Sequence, residues 1–164
     1  MSVLDHPFLK PFLGKSALLD SNILLLYWAI PFDSGLIHTF KRLSSFQDSD
    51  FILLSETLKG FHSIRTTTHV LTEVSNLANS LPGNYKVAWS AYFADRIQKI
   101  AEDLIPSATL ASSPLMRLGL TDAALAHLAT THVVLTLDFP LSQSLEARGM
   151  NVINFNHLRA AFLA

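Results

Sequence analysis

Cysteine is absent from the 164 residues. That excludes thiol catalysis, thiolate zinc sites and a disulfide framework, and it fits a reducing cytosol. Charge is scarce: only 15% of residues are Asp, Glu, Lys or Arg, and twelve basic against thirteen acidic residues give a formal net charge of -1. There is no global positive field to draw in nucleic acid, so any contact with a polyanion has to be local. Long apolar runs are lacking too, since the longest, Ile23 to Ile30, falls far short of the roughly 18 residues of a spanning helix. Lys10 and Lys15 precede apolar residues as in a signal peptide, but Asp20 and Asn22 interrupt the run and no clean cleavage site follows. The expectation is a cytoplasmic protein with no membrane contact. Repeats, low-complexity tracts and blocks of like charge are missing as well, so nothing marks a linker and residues 1–164 read as a single domain.

Core-forming residues, by contrast, are plentiful. Hydrophobic residues make up 49% of the chain and the mean hydropathy is +0.32. A chain of this length buries about 70% of the surface that its unfolded form exposes, which excludes disorder. Along the chain, SALLD (16–20), SIRTTTH (63–69), HVVLTLD (132–138) and NVINF (151–155) read as strands, with a further short one near 104–110. Between them lie helical patterns: 22–30 up to Pro31, 36–43 and 51–59 ending at Gly60, 69–81 before Pro82-Gly83, and 85–102. Thr121 and Asp122 read as the cap and first-turn residues of an Ala- and Leu-rich helix, and Pro140 opens another. Strands separated by helices imply parallel pairing. The expected fold is therefore an α/β three-layer sandwich, with a mostly parallel four- or five-stranded sheet flanked by helices and a helical insertion at about 34–62.

In an open parallel sheet, ligands bind outside the carboxyl ends of the strands. Asp20 closes the first predicted strand and Asp138 the VVLTL strand, while Glu73 lies about one turn into the helix after the second strand and Asp122 begins a later helix. All four can converge on one face. Four carboxylates in one cleft repel and raise one another's pKa unless a cation compensates them, and hard oxygen ligands suit Mg²⁺ or Mn²⁺. Thr136, two positions before Asp138 on a strand, shares its face and can orient a ligand, as can Asn22.

ALLDSNILLLYW, TTTHVLTEVSNLAN, LGLTDAALAHLA and VVLTLDFPLSQSLEARGMNVINF, in that order, resemble the successive motifs of PIN domains, including VapC-type toxin nucleases. The resemblance spans about Ser16 to Phe155 and implies a PIN-like domain. It implies that Asp20, Glu73, Asp122 and Asp138 are the catalytic, metal-binding quartet, with Asn22 and Thr136 matching the accompanying polar positions; Thr121, as the expected cap of the helix that positions Asp122, would support the site from outside it. The activity it implies is that of a Mg²⁺- or Mn²⁺-dependent endoribonuclease, leaving a 5′-phosphate and a 3′-hydroxyl. RNA would be its substrate, a cognate antitoxin its protein partner if it is a toxin, and a homodimer its assembly. A PIN-like scaffold that binds RNA or protein without catalysis is the competing expectation. The chain departs from compact PIN toxins in its longer N-terminal segment and in the stretch 34–62.

The remaining polar residues carry less. His69 and Glu73 form an H-x-x-x-E pair, but without an H-E-x-x-H motif His69 reads as a first-turn or partly buried residue rather than a zinc ligand. Tyr85, Trp89, Tyr92 and Phe93 recur at helical spacing, which reads as core or interface. Lys15, Arg65, Arg117 and Arg148 are the candidates for local phosphate contact.

Overall fold

Two of the predicted strands, those ending at Asp20 and Asp138, lie side by side at the centre of the sheet. The computed structural model describes residues 2–163. In it β1 (Ser16–Leu19), β2 (Ser63–Thr67), β3 (Ala101–Asp103), β4 (Val133–Thr136) and β5 (Val152–Asn154) form one sheet in the order β3-β2-β1-β4-β5. Every pairing is parallel, with Leu18 opposite both Arg65 and Val134. The apolar runs of β1 and β4 follow from this position: central strands are covered on both faces, and all four residues of β4 are buried. Strand order reverses between β1 and β4. Ligand crevices in open parallel sheets form at such a reversal, outside the carboxyl ends.

Helices cover both faces. After β1 comes α1 (Ser21–Phe32), then α2 (Leu36–Thr39) and α3 (Asp48–Leu58); α4 (Thr68–Ala78) and α5 (Gly83–Lys99) link β2 to β3. The short α6 (Ser107–Leu110) and α7 (Leu120–Leu128) lead to β4, α8 (Phe139–Glu146) to β5, and α9 (Phe155–Phe162) ends the described chain. Helix α1 is apolar almost all round, because it lies in the core: Ile23 to Leu26, Trp28 and Ala29 are all buried. The aromatic set of α5 is core as expected, with Trp89 5% exposed and packed edge-on against Phe32 at 5.3 Å between ring centres. Among the described residues no helix is long and apolar enough to cross a membrane.

Three local expectations need correction. The strand expected near 104–110 is β3, at 101–103, and 107–110 is a helical turn. Ala-Glu-Asp does not look like a strand because it lies at the sheet edge, only partly covered, where the Arg65–Asp103 ion pair fastens it. The helix expected over 36–43 stops at Thr39 and resumes as a 3-10 turn, Lys41–Leu43. Pro31 does not stop α1 at once; the helix runs one residue beyond it.

Candidate active site

At four strand ends the sequence places an oxygen-bearing side chain immediately before a helix. Asp20, Thr67, Asp138 and Asn154 each accept a hydrogen bond from a backbone N–H of the helix that follows, which satisfies donors that a helix start leaves unpaired. Two of the four caps are acidic. They are the two at the strand-order reversal, and the cleft between them holds about 310 Å³. Its lining includes all four predicted acids, Asp20, Glu73, Asp122 and Asp138, together with Ser21, Asn22 and Thr121.

Asp20 is the most constrained of the acids. Its Oδ1 accepts from the backbone N–H groups of Asn22 (3.0 Å) and Ile23 (3.2 Å), and its Oδ2 from the Thr136 hydroxyl and the Leu137 N–H (3.3 Å). Those four bonds use the acceptor capacity of a carboxylate. Burial pushes its pKa up, against the opposing pull of the Thr136 hydroxyl and the three backbone donors. Thr136 in turn accepts from the Asp138 N–H at 2.9 Å, so one hydroxyl ties the ends of β1 and β4 together. Strand periodicity places Thr136 at this edge, but its bond is to the acid of the neighbouring strand.

Asp138 uses Oδ1 to accept from the Leu141 N–H at 2.7 Å. Asp122, in the first turn of α7, is held near neutrality: its pKa is raised to about 7, chiefly by burial and then by the charges of Asp138, Asp20 and Glu73. Glu73 reaches the cleft from the middle of α4. Asn22 lines the cleft with an exposed side chain, its backbone rather than its amide serving Asp20.

Thr121 does not cap α7. The helix begins one residue earlier, at Leu120, and its N-cap is Gly119, whose φ of 111° is a conformation that side chains disfavour. Thr121 keeps a place on the cleft wall. His69 is absent from that wall; it is partly buried and its Nε2 lies 3.1 Å from the Ser107 hydroxyl, so the H-x-x-x-E pair does not meet in the cleft. Two contributors escape a reading of the sequence. Gly119 is one, signalled only by a glycine before Leu-Thr-Asp. The other is Ser21, 3% exposed, whose hydroxyl has no partner although it lines the cleft.

The donor set suits a hard divalent cation: every candidate ligand is an oxygen, and among the described residues no Lys or Arg lines the cleft to offset the four acids. The unpartnered Ser21 hydroxyl fits a ligand or ordered water at the same place. Among the described residues, however, no three acidic or His side chains already form a group that could hold an ion. For Asp20 to coordinate directly, one of its four donors has to give way. Among the described residues, Glu73, Asp122 and the Oδ2 of Asp138 carry no such bonds.

No protein-family model matches the chain, and no curated protein matches it.

Proposed function

We propose that this protein is a divalent-metal-dependent ribonuclease of the PIN type, hydrolysing RNA phosphodiester bonds. The observation that carries the reading is the cleft at the β1/β4 reversal, whose lining includes four acidic side chains and, among the described residues, no basic one. The ordered resemblance of the surrounding motifs to PIN domains supports it. Asp122, Glu73 and Asp138 would hold Mg²⁺ or Mn²⁺, with Asp20 adding its charge and fixing the ends of β1 and β4. A cation bound there supplies charge neutralisation at the phosphate and lowers the pKa of water toward neutrality. With its pKa raised to about 7, Asp122 would give up its proton at little cost to a cation held there. Thr136 holds Asp20 and the Asp138 backbone in register, so that the acids meet the substrate in a fixed arrangement. If the protein acts as a toxin, its antitoxin would neutralise this cleft.

One observation favours the non-catalytic scaffold instead: the oxygens of Asp20 are committed to internal hydrogen bonds and the acids do not already enclose an ion. Cleavage separates the two readings. Incubating the protein with a pool of randomised single-stranded RNA should give products with 5′-phosphate ends that require Mg²⁺ or Mn²⁺ and vanish in Asp122→Asn. Cleavage that persists in Asp122→Asn would overturn the assignment of the activity to this cleft, and no cleavage of any RNA with either metal would leave the scaffold.

A further inference from the structure

Among the described residues six serine or threonine side chains are buried, and five of their hydroxyls are satisfied inside the fold: those of Thr57, Thr66, Thr67, Thr136 and Ser142 each have a hydrogen-bond partner. The sixth, Ser21, is 3% exposed and its hydroxyl has none. Its position in the chain explains why. A serine or threonine inside a helix can donate to the carbonyl four residues back, as Thr57 does to Leu53 at 2.7 Å. Ser21 is the first residue of α1, so the residue four back, Ala17, belongs to β1. The capping role is filled as well, since Asp20 accepts from the Asn22 and Ile23 N–H groups. The Ser21 hydroxyl thus adds nothing to the framework, and burying it unpaired costs stability. Alanine, the best helix former, would serve α1 better at this position.

Three buried polar side-chain atoms lack a partner among the described residues: the Ser21 Oγ, the His69 Nδ1 and the Trp89 Nε1. Of these, only the Ser21 hydroxyl belongs to a residue of the acid-lined cleft. Resting on the divalent-cation reading of that cleft, we infer that Ser21 is a positioning residue whose hydroxyl holds a water of the cation's shell. Three carboxylates, those of Glu73, Asp122 and Asp138, leave about three places of an octahedral ion to water or substrate. Each such water has protons to place. A hydroxyl accepts one of them and has a proton of its own to give to a carboxylate. Being neutral, it orients the water without offsetting the charge that draws in the cation, as a Lys or Arg in its place would. A recessed hydroxyl also suits a guest as small as water.

The test compares wild type, Ser21→Ala and Glu73→Gln by thermal unfolding of the metal-free protein and by Mn²⁺ titration followed by electron paramagnetic resonance. Without metal, Ser21→Ala should melt about 2–4 °C above wild type, because an unpaired buried group has been removed. It should nonetheless bind Mn²⁺ roughly tenfold more weakly, as when a group that orients a metal ligand is lost. A hydroxyl with a purely structural role would move the first quantity down and leave the second alone. Broadening of the bound Mn²⁺ signal in ¹⁷O-labelled water counts the waters on the ion, and the count should be the same in wild type and Ser21→Ala. One more water in Ser21→Ala would make the hydroxyl a direct ligand and overturn the inference. A melting temperature at or below that of wild type, or Mn²⁺ affinity within about twofold of it, overturns the role of Ser21 and leaves the cation site in place. No Mn²⁺ binding by the wild type, or binding indifferent to Glu73→Gln, overturns the cation reading and the inference with it.

Discussion

Asp50 is 3% exposed and meets the Arg159 guanidinium with both oxygens, each at 2.8 Å, while Asp122 is half-buried with three further acids acting on it and, among the described residues, has no ion-pair partner. The first arrangement fastens α3, within the helical stretch 34–62, to α9. It is backed by Arg159 lying over the Phe46 and Phe155 rings. The fold therefore has the means to neutralise a carboxylate that it removes from water. Asp103 beside Arg65 and Asp95 beside Arg96 and Lys99 repeat the device nearer the surface, and these partners hold both acids below their usual pKa. In the cleft that device is missing, and one acid is pushed to about 7. Asp50, Asp95 and Asp103 are paired where they stand, whereas the four cleft acids have no cationic partner among the described residues.

Breaking the two arrangements should give opposite results. On the proposed reading, Asp122→Asn should reduce RNA cleavage by roughly a thousandfold, because the cation it would help to hold is worth several kcal/mol at the transition state, while the fold, followed by circular dichroism, is unchanged. Arg159→Ala should instead cost about 3 kcal/mol or more in urea unfolding by stranding Asp50, with cleavage per folded molecule retained. Replacing the pair together, Asp50→Leu with Arg159→Met, should recover most of that loss. Thr136→Val tests the link between framework and site: removing the hydroxyl leaves Asp20 short of a donor, so Mn²⁺ affinity should fall about 10- to 100-fold, and Thr136→Ser should largely restore it.

The smallest effect is on pH dependence. An unfolded Asp122 loses its proton near 3.8 and the folded one near 7, so the metal-free folded chain holds a proton that the unfolded chain has released. Stability contributed by this group therefore declines as pH rises between those values. Melting temperatures of wild type minus Asp122→Asn should fall from pH 4 to pH 7.5 without metal, and Mn²⁺ should reverse the decline by binding the ionised form.

The sheet was legible because the central strands are so thoroughly buried. VVLT and SALL read as strands from apolar continuity, and the acids that close them could be assigned to one edge from the parallel topology alone. Glu73, Asp122 and the two strand-end acids do line a single cleft. What escaped was set by tertiary position rather than local pattern. Ala101–Asp103 is an edge strand of polar composition, held by an ion pair with a residue 38 positions away. Gly119 takes the cap that Thr121 seemed suited to, because its positive φ turns the chain into α7. That Asp20 would spend its oxygens on donors from two strand ends depends on the β1/β4 register, which no local motif specifies.

The most direct test of the central claim, that the unpaired acids of the cleft form a divalent-cation site, is a Mn²⁺ titration of the purified protein followed by electron paramagnetic resonance, with Asp122→Asn, Glu73→Gln and Arg159→Ala alongside. The account predicts saturable binding in the wild type and in folded Arg159→Ala, and loss of most of it in Asp122→Asn and Glu73→Gln with circular dichroism unaltered. No binding at millimolar Mn²⁺, or binding indifferent to Asp122→Asn, would contradict it.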